Sequence, residues 1–191
     1  DITVTAAGKT VYDSNANGFP GAKTEGGIWQ TFGNVAKQVG KETGTYTFGD
    51  ASWSEYTVKL KARKLSGDEG FLIVFGDKTG QRYWWNMGGW GNREHGIERN
   101  RAPVGQRVPG RIETGRWYDI EVNVSGGLIV CKLDGKQIHS VPVPDNADVY
   151  ASSGYDAAKK EVIVKLVNST NAPKGFGVSM SGLSGISNKA T

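Results

Sequence analysis

The chain has few cysteines and no long apolar run, and each shortage excludes a class of protein. The single cysteine, Cys131, rules out an internal disulfide, so the fold depends on packing alone. This excludes a small disulfide-stapled scaffold but not secretion, because bacterial exported modules often lack disulfides. No apolar stretch reaches the length of a membrane span, and residues 1–5 do not read as a signal peptide. We therefore expect a mature protein or an excised piece, with no membrane partner.

Histidine is also scarce, which limits nucleophilic and metal chemistry. His95 and His139 are the two histidines of the chain. Cys131 is expected to point inward from its strand, so no serine or cysteine nucleophile has an activating partner that the sequence reveals. Zinc is disfavoured for the same reason, since its sites combine several Cys, His or acidic ligands.

Carboxylate pairs that could catalyse hydrolysis are poorly spaced. Glycosidases need two carboxyl groups about 5 Å apart if retaining, and further apart if inverting. Jelly-roll hydrolases of the laminarinase type carry them in a Glu-x-Asp-x-x-Glu pattern, which the sequence lacks. Two looser pairs, Asp119 with Glu121 and Glu94 with Glu98, fit solvated strand faces beside basic residues. We predict that the chain is not an enzyme by itself, with a jelly-roll glycosidase as the less favoured alternative.

The charge of the chain is mildly basic and scattered. Its 23 Lys and Arg against 19 Asp and Glu give a formal net charge of +4. Nucleic-acid binding surfaces concentrate basic residues in a stripe, whereas here Glu94 and Glu98 stand among the arginines. We expect no nucleic-acid partner.

Wherever a hydrophobic pattern exists, apolar and polar residues alternate, which predicts half-buried β-strands. The alternation is clear in Tyr56–Arg63 and Tyr118–Val124 and weaker in Glu161–Leu166. Phe71–Phe75 is apolar throughout, which predicts a central strand covered on both faces. Asp134-Gly135 tolerates the positive φ angles of a primed turn and predicts a tight hairpin.

No helix longer than one turn is predicted, and 28 glycines against 6 prolines suit many tight turns. The prediction is an all-β fold, a two-sheet antiparallel β-sandwich of the jelly-roll type. The 191 residues suit one monomeric domain. Within it we distinguish a Trp-rich sandwich (1–146), further strands (147–182) and a frayed tail (183–191), with Pro142–Asp148 as a linker-like stretch.

The most informative stretch is 82–99, where three of the six tryptophans fall within seven positions among Arg, Asn and His. Sugar rings offer C–H groups that lie flat on an indole and hydroxyls that take planar polar partners. Three glycines leave the backbone around Trp90 open, and the neighbouring polar residues are poor core material unless paired. The stretch therefore predicts a surface that stacks on sugars, against the alternative that these indoles fill a β-core.

Alternation along Arg82–Met87 places alternate residues on opposite sides of the strand. We predict that Trp84 joins the site and that Trp85 packs inward with Tyr83 and Met87. A bulge or a register slip would give the reverse. Trp90 is expected to form a platform, with the polar residues after it reaching sugar hydroxyls and a glutamate before the apolar strand acting as acceptor. The candidate binding residues are Arg82, Trp84, Asn86, Trp90, Asn92, Arg93, His95 and Glu69.

A weak calcium motif occurs near the N-terminus. Asp13, Asn15 and Asn17 precede Gly18 as in the opening of a calcium loop. The twelfth position is a threonine, and a glutamate follows one residue late, so the loop is broken. An ordinary Asn/Gly turn explains the segment better than a calcium site does. We therefore expect no cofactor, with a structural calcium at this point as the less favoured alternative.

The spacing of Trp84–Asn92 followed by His95–Glu98 is unusual. Together with Trp53–Phe75, Ile112–Ile120 and Cys131–Lys136, it resembles the concanavalin A-like, laminin-G-like module of bacterial α-L-arabinofuranosidases in glycoside hydrolase family 51.

A second resemblance covers Val149–Gly182. Within it, Tyr150–Asp156 and Glu161–Asn168 are similar to the C-terminal β-sandwich that accompanies the catalytic barrel in these enzymes. Residues 1–45 match weakly, and their role stays open.

The resemblance implies a non-catalytic carbohydrate-binding module of a plant-polysaccharide-degrading enzyme, because the family's catalytic carboxylates lie on a (β/α)8 barrel that this chain lacks. It implies arabinan or arabinoxylan as ligand and the catalytic domain of the same polypeptide as partner. It also implies a secreted, periplasmic or cell-surface location in a bacterium. The main alternative is a structural appendage that packs on the barrel without affinity for free sugar. A laminin-G-like module that binds proteins is a weaker one.

Overall fold

The computed structural model describes residues 1–40, 42–78, 81–143 and 149–168, together with residues 173, 175 and 177. Most of the linker-like stretch (144–148) and the tail (183–191) lie outside the described residues. The chain divides into two compact units, Asp1–Pro144 and Asp145–Thr191. In the described part of the chain, no helix is long and apolar enough to cross a membrane.

Strands form nearly all of the regular structure, and the helices α1 (Ser14–Asn17) and α2 (Gly89–Asn92) are one turn each. The strands are β1 (Ile2–Ala6), β2 (Lys9–Asp13), β3 (Lys23–Glu25), β4 (Trp29–Phe32), β5 (Val35–Gln38), β6 (Thr45–Thr47), β7 (Tyr56–Arg63), β8 (Phe71–Lys78), β9 (Gln81–Gly88), β10 (Glu94–Arg99), β11 (Ala102–Pro109), β12 (Trp117–Ser125), β13 (Leu128–Leu133), β14 (Lys136–Pro142), β15 (Val149–Asp156) and β16 (Glu161–Asn168).

Two antiparallel sheets enclose the main core of the first unit. One has six strands in the order β14-β13-β12-β7-β1-β2, and the other has four in the order β11-β10-β9-β8. Alternate residues of facing strands meet between them, among them Trp85 and Ile97 from the smaller sheet and Ile120 and Ile129 from the larger. The predicted all-β antiparallel sandwich is confirmed.

The prediction of a central strand covered on both faces at Phe71–Phe75 is wrong. The corresponding strand, β8, lies at the end of the four-stranded sheet and pairs with β9. Phe75 packs in the core, but Leu72 and Val74 point the other way and are 45% and 43% exposed. Continuous apolar sequence here reflects an apolar patch on the outer side of an edge strand.

The tight hairpin between β13 and β14 forms as its sequence predicts. Asp134 and Gly135 have φ angles of 51° and 76°, both positive as a type I′ turn requires. Asp134 also accepts hydrogen bonds from the Arg116 guanidinium at 2.6 Å and the Asp119 N–H at 2.9 Å. The turn is therefore fixed to β12 as well as to its own strands.

Two small sheets in the first unit come from the N-terminal region. β3 pairs with β6, and β4 pairs with β5, each as an antiparallel two-stranded sheet. Neither pair belongs to the two larger sheets.

The second unit contains the antiparallel hairpin of β15 and β16. Its apolar residues include Tyr155, Ile163 and Val167, which are exposed. An isolated two-stranded hairpin is marginally stable in water.

Candidate functional site

The outward-facing residues of β9 begin the candidate site. Trp84 is 39% exposed, whereas Trp85 and Met87 are fully buried and Tyr83 is almost so. The predicted alternation, with Trp84 outside and Trp85 inside, is confirmed. Arg82 is exposed and Asn86 is half-buried, in register with Trp84 on the same side of the strand.

Strand register shows which neighbours share this side of the four-stranded sheet, called here the outer face. Trp84 lies opposite Val74 on β8 and opposite Glu98 on β10. In the next row, Asn86 lies opposite Leu72 on β8 and Gly96 on β10. The outer face consists of Leu72, Val74, Arg82, Trp84, Asn86, Gly96 and Glu98, with Trp90 and Arg107 added by the contacts described below.

The turn between β9 and β10 has a left-handed backbone. Gly88, Trp90, Gly91 and Asn92 have φ angles of 63°, 53°, 74° and 61°. Glycine and asparagine adopt this region readily, but a bulky residue in it costs about 1–2 kcal/mol. The surrounding contacts must therefore impose this conformation on Trp90.

Hydrogen bonds made by side chains hold the turn in place. The Gly91 N–H donates to Glu69 Oε1 at 2.9 Å. Asn92 bonds the Ile112 backbone twice, accepting from its N–H at 2.8 Å and donating to its carbonyl at 2.9 Å. The Gly88 N–H donates to His95 Nδ1 at 3.0 Å. Glu69, Asn92 and His95 thus each fix the turn through backbone groups.

Trp90 lies over the outer face and not out in solvent. A Cβ built on Gly96 would come within 2.8 Å of the Trp90 ring, so the indole covers this glycine. The Arg107 guanidinium lies 3.8 Å from the ring centroid. Gly96 and Glu98 are two residues apart on β10, a separation of about 7 Å. Trp84 and Trp90 therefore occupy neighbouring rows of one surface.

Several predicted site residues hold the turn together. The side-chain oxygen of Glu69 accepts from the Gly91 N–H, and that of Asn92 accepts from the Ile112 N–H. The Arg93 Nε donates to the Trp90 carbonyl at 3.2 Å. His95 is 4% exposed, and burial lowers its pKa below the ordinary value, so the ring stays neutral inside the sandwich.

Sequence reasoning missed Arg107, Leu72, Val74 and Glu98 as members of the outer face. Glu98 and Val74 are brought beside Trp84 by strand pairing, which the sequence pattern alone does not specify. Arg107 lies on β11 within an irregularity in its register with β10, between the paired residues Val104 and Val108. The unbroken apolar run Phe71–Phe75 contains Leu72 and Val74, but the run does not reveal that its strand lies at a sheet edge.

The carboxylate pair Asp119 and Glu121 is neutralised by basic neighbours on the six-stranded sheet. Lys132 Nζ lies 2.8 Å from Glu121 Oε1, and Lys59 Nζ lies 3.5 Å from Oε2. The hydrogen bond from Lys132 lowers the pKa of Glu121, which keeps it ionised. Lys61 lies 3.3 Å from Asp119. These contacts are those of a charged strand face.

The calcium motif forms a capped turn in this structure. The Asp13 side chain accepts from the Asn15 N–H at 2.8 Å and caps α1. The Asn15 side-chain oxygen accepts from Asn34 Nδ2 at 2.7 Å. The side chain of Asn17 lies outside the described residues. Within the described ranges, no group of three or more His, Cys, Asp or Glu is placed to hold a metal ion.

One known protein resembles most of this chain. It is an extracellular exo-alpha-L-arabinofuranosidase of Streptomyces chartreusis, 36% identical over 194 residues. The match covers 95% of this chain but 23% of that enzyme, so the chain corresponds to a minor part of its relative. No family model and no solved structure matches the chain. The relative's extracellular location supports the predicted secretion, and its greater length is consistent with an accessory part that is not catalytic alone.

Proposed function

We propose that the chain is a non-catalytic carbohydrate-binding module of a secreted plant-polysaccharide-degrading α-L-arabinofuranosidase of glycoside hydrolase family 51, and that it binds arabinan or arabinoxylan. Its partners are then that polysaccharide and the catalytic domain of the same polypeptide. The observation that carries the proposal is the placement of Trp84 and Trp90 on one solvent-facing sheet surface. The name and length of the Streptomyces relative agree with it.

The outer face offers what a sugar chain needs. Trp84 presents an exposed indole between Val74 and Glu98, so an apolar area adjoins a carboxylate that accepts hydrogen bonds from hydroxyls. Asn86 adds an amide in the neighbouring row, and Arg107 adds guanidinium donors beside Trp90. A sugar ring on Trp84 can therefore stack and hydrogen-bond at the same time.

The turn at Gly88–Asn92 favours binding because its hydrogen bonds fix its conformation before a ligand binds. Binding then orders few groups, which limits the entropic cost of association. The contact area remains small, since one exposed indole and one half-buried indole form it. We expect weak affinity for a single site of this kind.

Affinity electrophoresis and calorimetry with soluble arabinan and arabinoxylan test the proposal. Trp84→Ala should weaken binding by about fivefold or more, as truncation of a stacking aromatic does. Trp117→Ala is a matched control, because Trp117 is 48% exposed on the other sheet with Arg63 4.8 Å from its ring. Absence of binding by the unmodified chain, or equal losses in both variants, would contradict the proposal.

The exposed pair Leu72 and Val74 favours a second function, a structural face that packs on the catalytic part of the enzyme. Their apolar surface extends the outer face beyond the tryptophans, as a broad docking surface would require. The unmodified chain should then co-sediment with a separately produced catalytic part, and Leu72→Asp should abolish this association. Under this second function, the chain binds neither arabinan nor arabinoxylan. Under the sugar-binding proposal, the same variant keeps most of its glycan affinity.

A further inference from the structure

A second aromatic surface lies in the N-terminal region, away from the outer face in sequence. Strands β3, β4 and β6 of the two small sheets, together with the loops beside them, line a cleft of about 460 Å³. Its size lies within the range of small-molecule sites in proteins. The cleft is lined by Gly18, Phe19, Ala22, Thr24, Trp29, Thr31, Gly33 and Tyr46.

Three aromatic rings meet at this cleft. The Tyr46 ring contacts Phe19 edge-on with centroids 5.3 Å apart, and contacts Trp29 at a tilt with centroids 5.2 Å apart. Each ring is half-buried, and none belongs to the two hydrophobic clusters of the first unit. A core built from three large rings would be closed, whereas this one opens to solvent.

The rim of the cleft is polar but uncharged. Thr24 and Thr31 are exposed, and each hydroxyl can donate and accept. A Cβ built on Gly18 or Gly33 would meet nothing within 4 Å, so these edges are unobstructed. Among the described residues that line the cleft, none carries a charged side chain.

The uncharged lining selects the ligand class. A second cleft of the same unit, of about 340 Å³, is lined by charged side chains, among them Arg111, Arg116, Lys136 and Asp134. The aromatic cleft has no such cations, so nothing in it compensates the desolvation of a charged group. Aromatic rings beside hydroxyl groups instead match a neutral sugar with an apolar face and a rim of hydroxyls.

We infer that the cleft between Trp29, Tyr46 and Thr31 is a second carbohydrate site, which takes one neutral sugar residue of a polysaccharide. This site goes beyond the proposed function, because it shares no residue with the outer face. When one long glycan occupies both sites, the second contact becomes intramolecular and the overall affinity exceeds that of either site.

Variants of the full chain test the inference with soluble linear arabinan, arabinoxylan and polygalacturonate as probes. Trp29→Ala removes the platform, and Thr31→Arg leaves the rings in place but puts a long cation across the opening. Phe32→Ala is the matched control, because Phe32 is 63% exposed on the same strand and does not line the cleft.

We expect Trp29→Ala and Thr31→Arg each to weaken binding to the neutral glycans by about fivefold or more. Phe32→Ala should change it by less than about twofold. If Trp29→Ala fails to fold, Thr31→Arg alone decides. Unchanged neutral-glycan affinity in Thr31→Arg, or a Thr31→Arg variant that loses polygalacturonate binding as much as neutral-glycan binding, overturns the inference.

Comparison with Trp84→Ala separates this inference from the proposed outer-face site. If Trp84→Ala leaves affinity unchanged while Thr31→Arg lowers it, the outer-face site fails and the cleft stands. The converse result removes the cleft and leaves the outer face. A chain that binds none of the neutral glycans overturns both.

Discussion

Arg107 stacks on Trp90, with its guanidinium carbon 3.8 Å from the ring centroid, and its Nη1 lies 3.4 Å from Glu94 Oε2. Glu94 begins the strand that follows the turn, and Arg107 belongs to the next strand. The arginine therefore clamps the indole of the turn against the two strands beneath it. One face of Trp90 is covered by this arginine, which leaves Trp84 as the more open of the two rings.

Replacing Arg107 by alanine should lower the free energy of unfolding by about 0.5–1 kcal/mol, the usual strength of an exposed cation–π contact. The ion pair with Glu94 is half-exposed and adds little. Urea unfolding of the full chain measures the loss. Glu94→Gln, which removes the ion pair and keeps the stack, is the control and should be close to neutral. A loss in Glu94→Gln as large as in Arg107→Ala would contradict the assignment of the energy to the ring contact.

Asn92→Ala should destabilise the fold by about 2 kcal/mol or more. Alanine cannot form either hydrogen bond to the fully buried Ile112, so the Ile112 N–H loses its acceptor. Alanine also tolerates a positive φ angle less well than asparagine does. Asn92→Asp keeps the acceptor and should lose less. Chemical denaturation of the three proteins gives the order. Equal stability of Asn92→Ala and the unmodified chain would show that the turn does not depend on this side chain.

Much of the sandwich follows from local sequence. Alternation predicts the inward residues of β7 and β12, and Asp134-Gly135 predicts its hairpin, because these patterns depend on nearest neighbours along the chain. The position of β8 at a sheet edge depends on which strands pair, and one apolar run does not encode that. The sequence pattern also predicts that Trp84 and Trp85 face opposite sides, because successive side chains of a β-strand point to opposite faces of its sheet.

The polar residues after Trp90 show where sequence reasoning stops. His95 was expected to reach a sugar, yet it turns inward and accepts from Gly88, while Asn92 bonds Ile112, which lies 20 residues away. The polar side chains of Asn92 and His95 indicate only that each needs a hydrogen-bond partner. Whether the partner is a ligand or the protein's own backbone is decided by tertiary packing. Their role in sugar binding stays a prediction.

Acid should destabilise the protein over a window that begins near pH 6.5. His95 and His139 are each 4% exposed, and burial lowers both pKa values from their ordinary 6.5. Below pH 6.5 these two histidines bind protons in the unfolded chain but stay neutral in the folded chain. The stability present above that pH is therefore lost as the pH falls through the folded-state pKa values of the two histidines. The free energy of unfolding, measured by urea at pH 8, 7, 6 and 5, should decrease across the last two steps.

His139→Gln separates this effect from carboxylate titration. It removes one of the two groups and should flatten the slope between pH 7 and 5. The control, Glu121→Gln, removes a carboxylate whose pKa lies below its ordinary 4.5, so it should change the profile at lower pH. A profile of the unmodified chain that is level from pH 7 to 5 would rule out neutral buried histidines.

The Cys131 thiol should be inert in the folded protein. It is fully buried in the sandwich core, and burial raises the pKa of the thiol far above its ordinary value. Labelling by an aromatic disulfide reagent at pH 8 should follow the unfolding rate, and it should become fast in 6 M urea. A thiol that reacts immediately without denaturant would place Cys131 elsewhere than the interior.

The left-handed turn at Gly88–Asn92 also shapes how this surface can change over evolutionary time. Its backbone needs glycine or asparagine at three of its four left-handed positions, so few substitutions there preserve the fold. Trp84, by contrast, stands on a regular strand that accepts any side chain suited to a sheet. The exposed side chains of β8 and β9 can therefore change while the scaffold around the turn stays fixed.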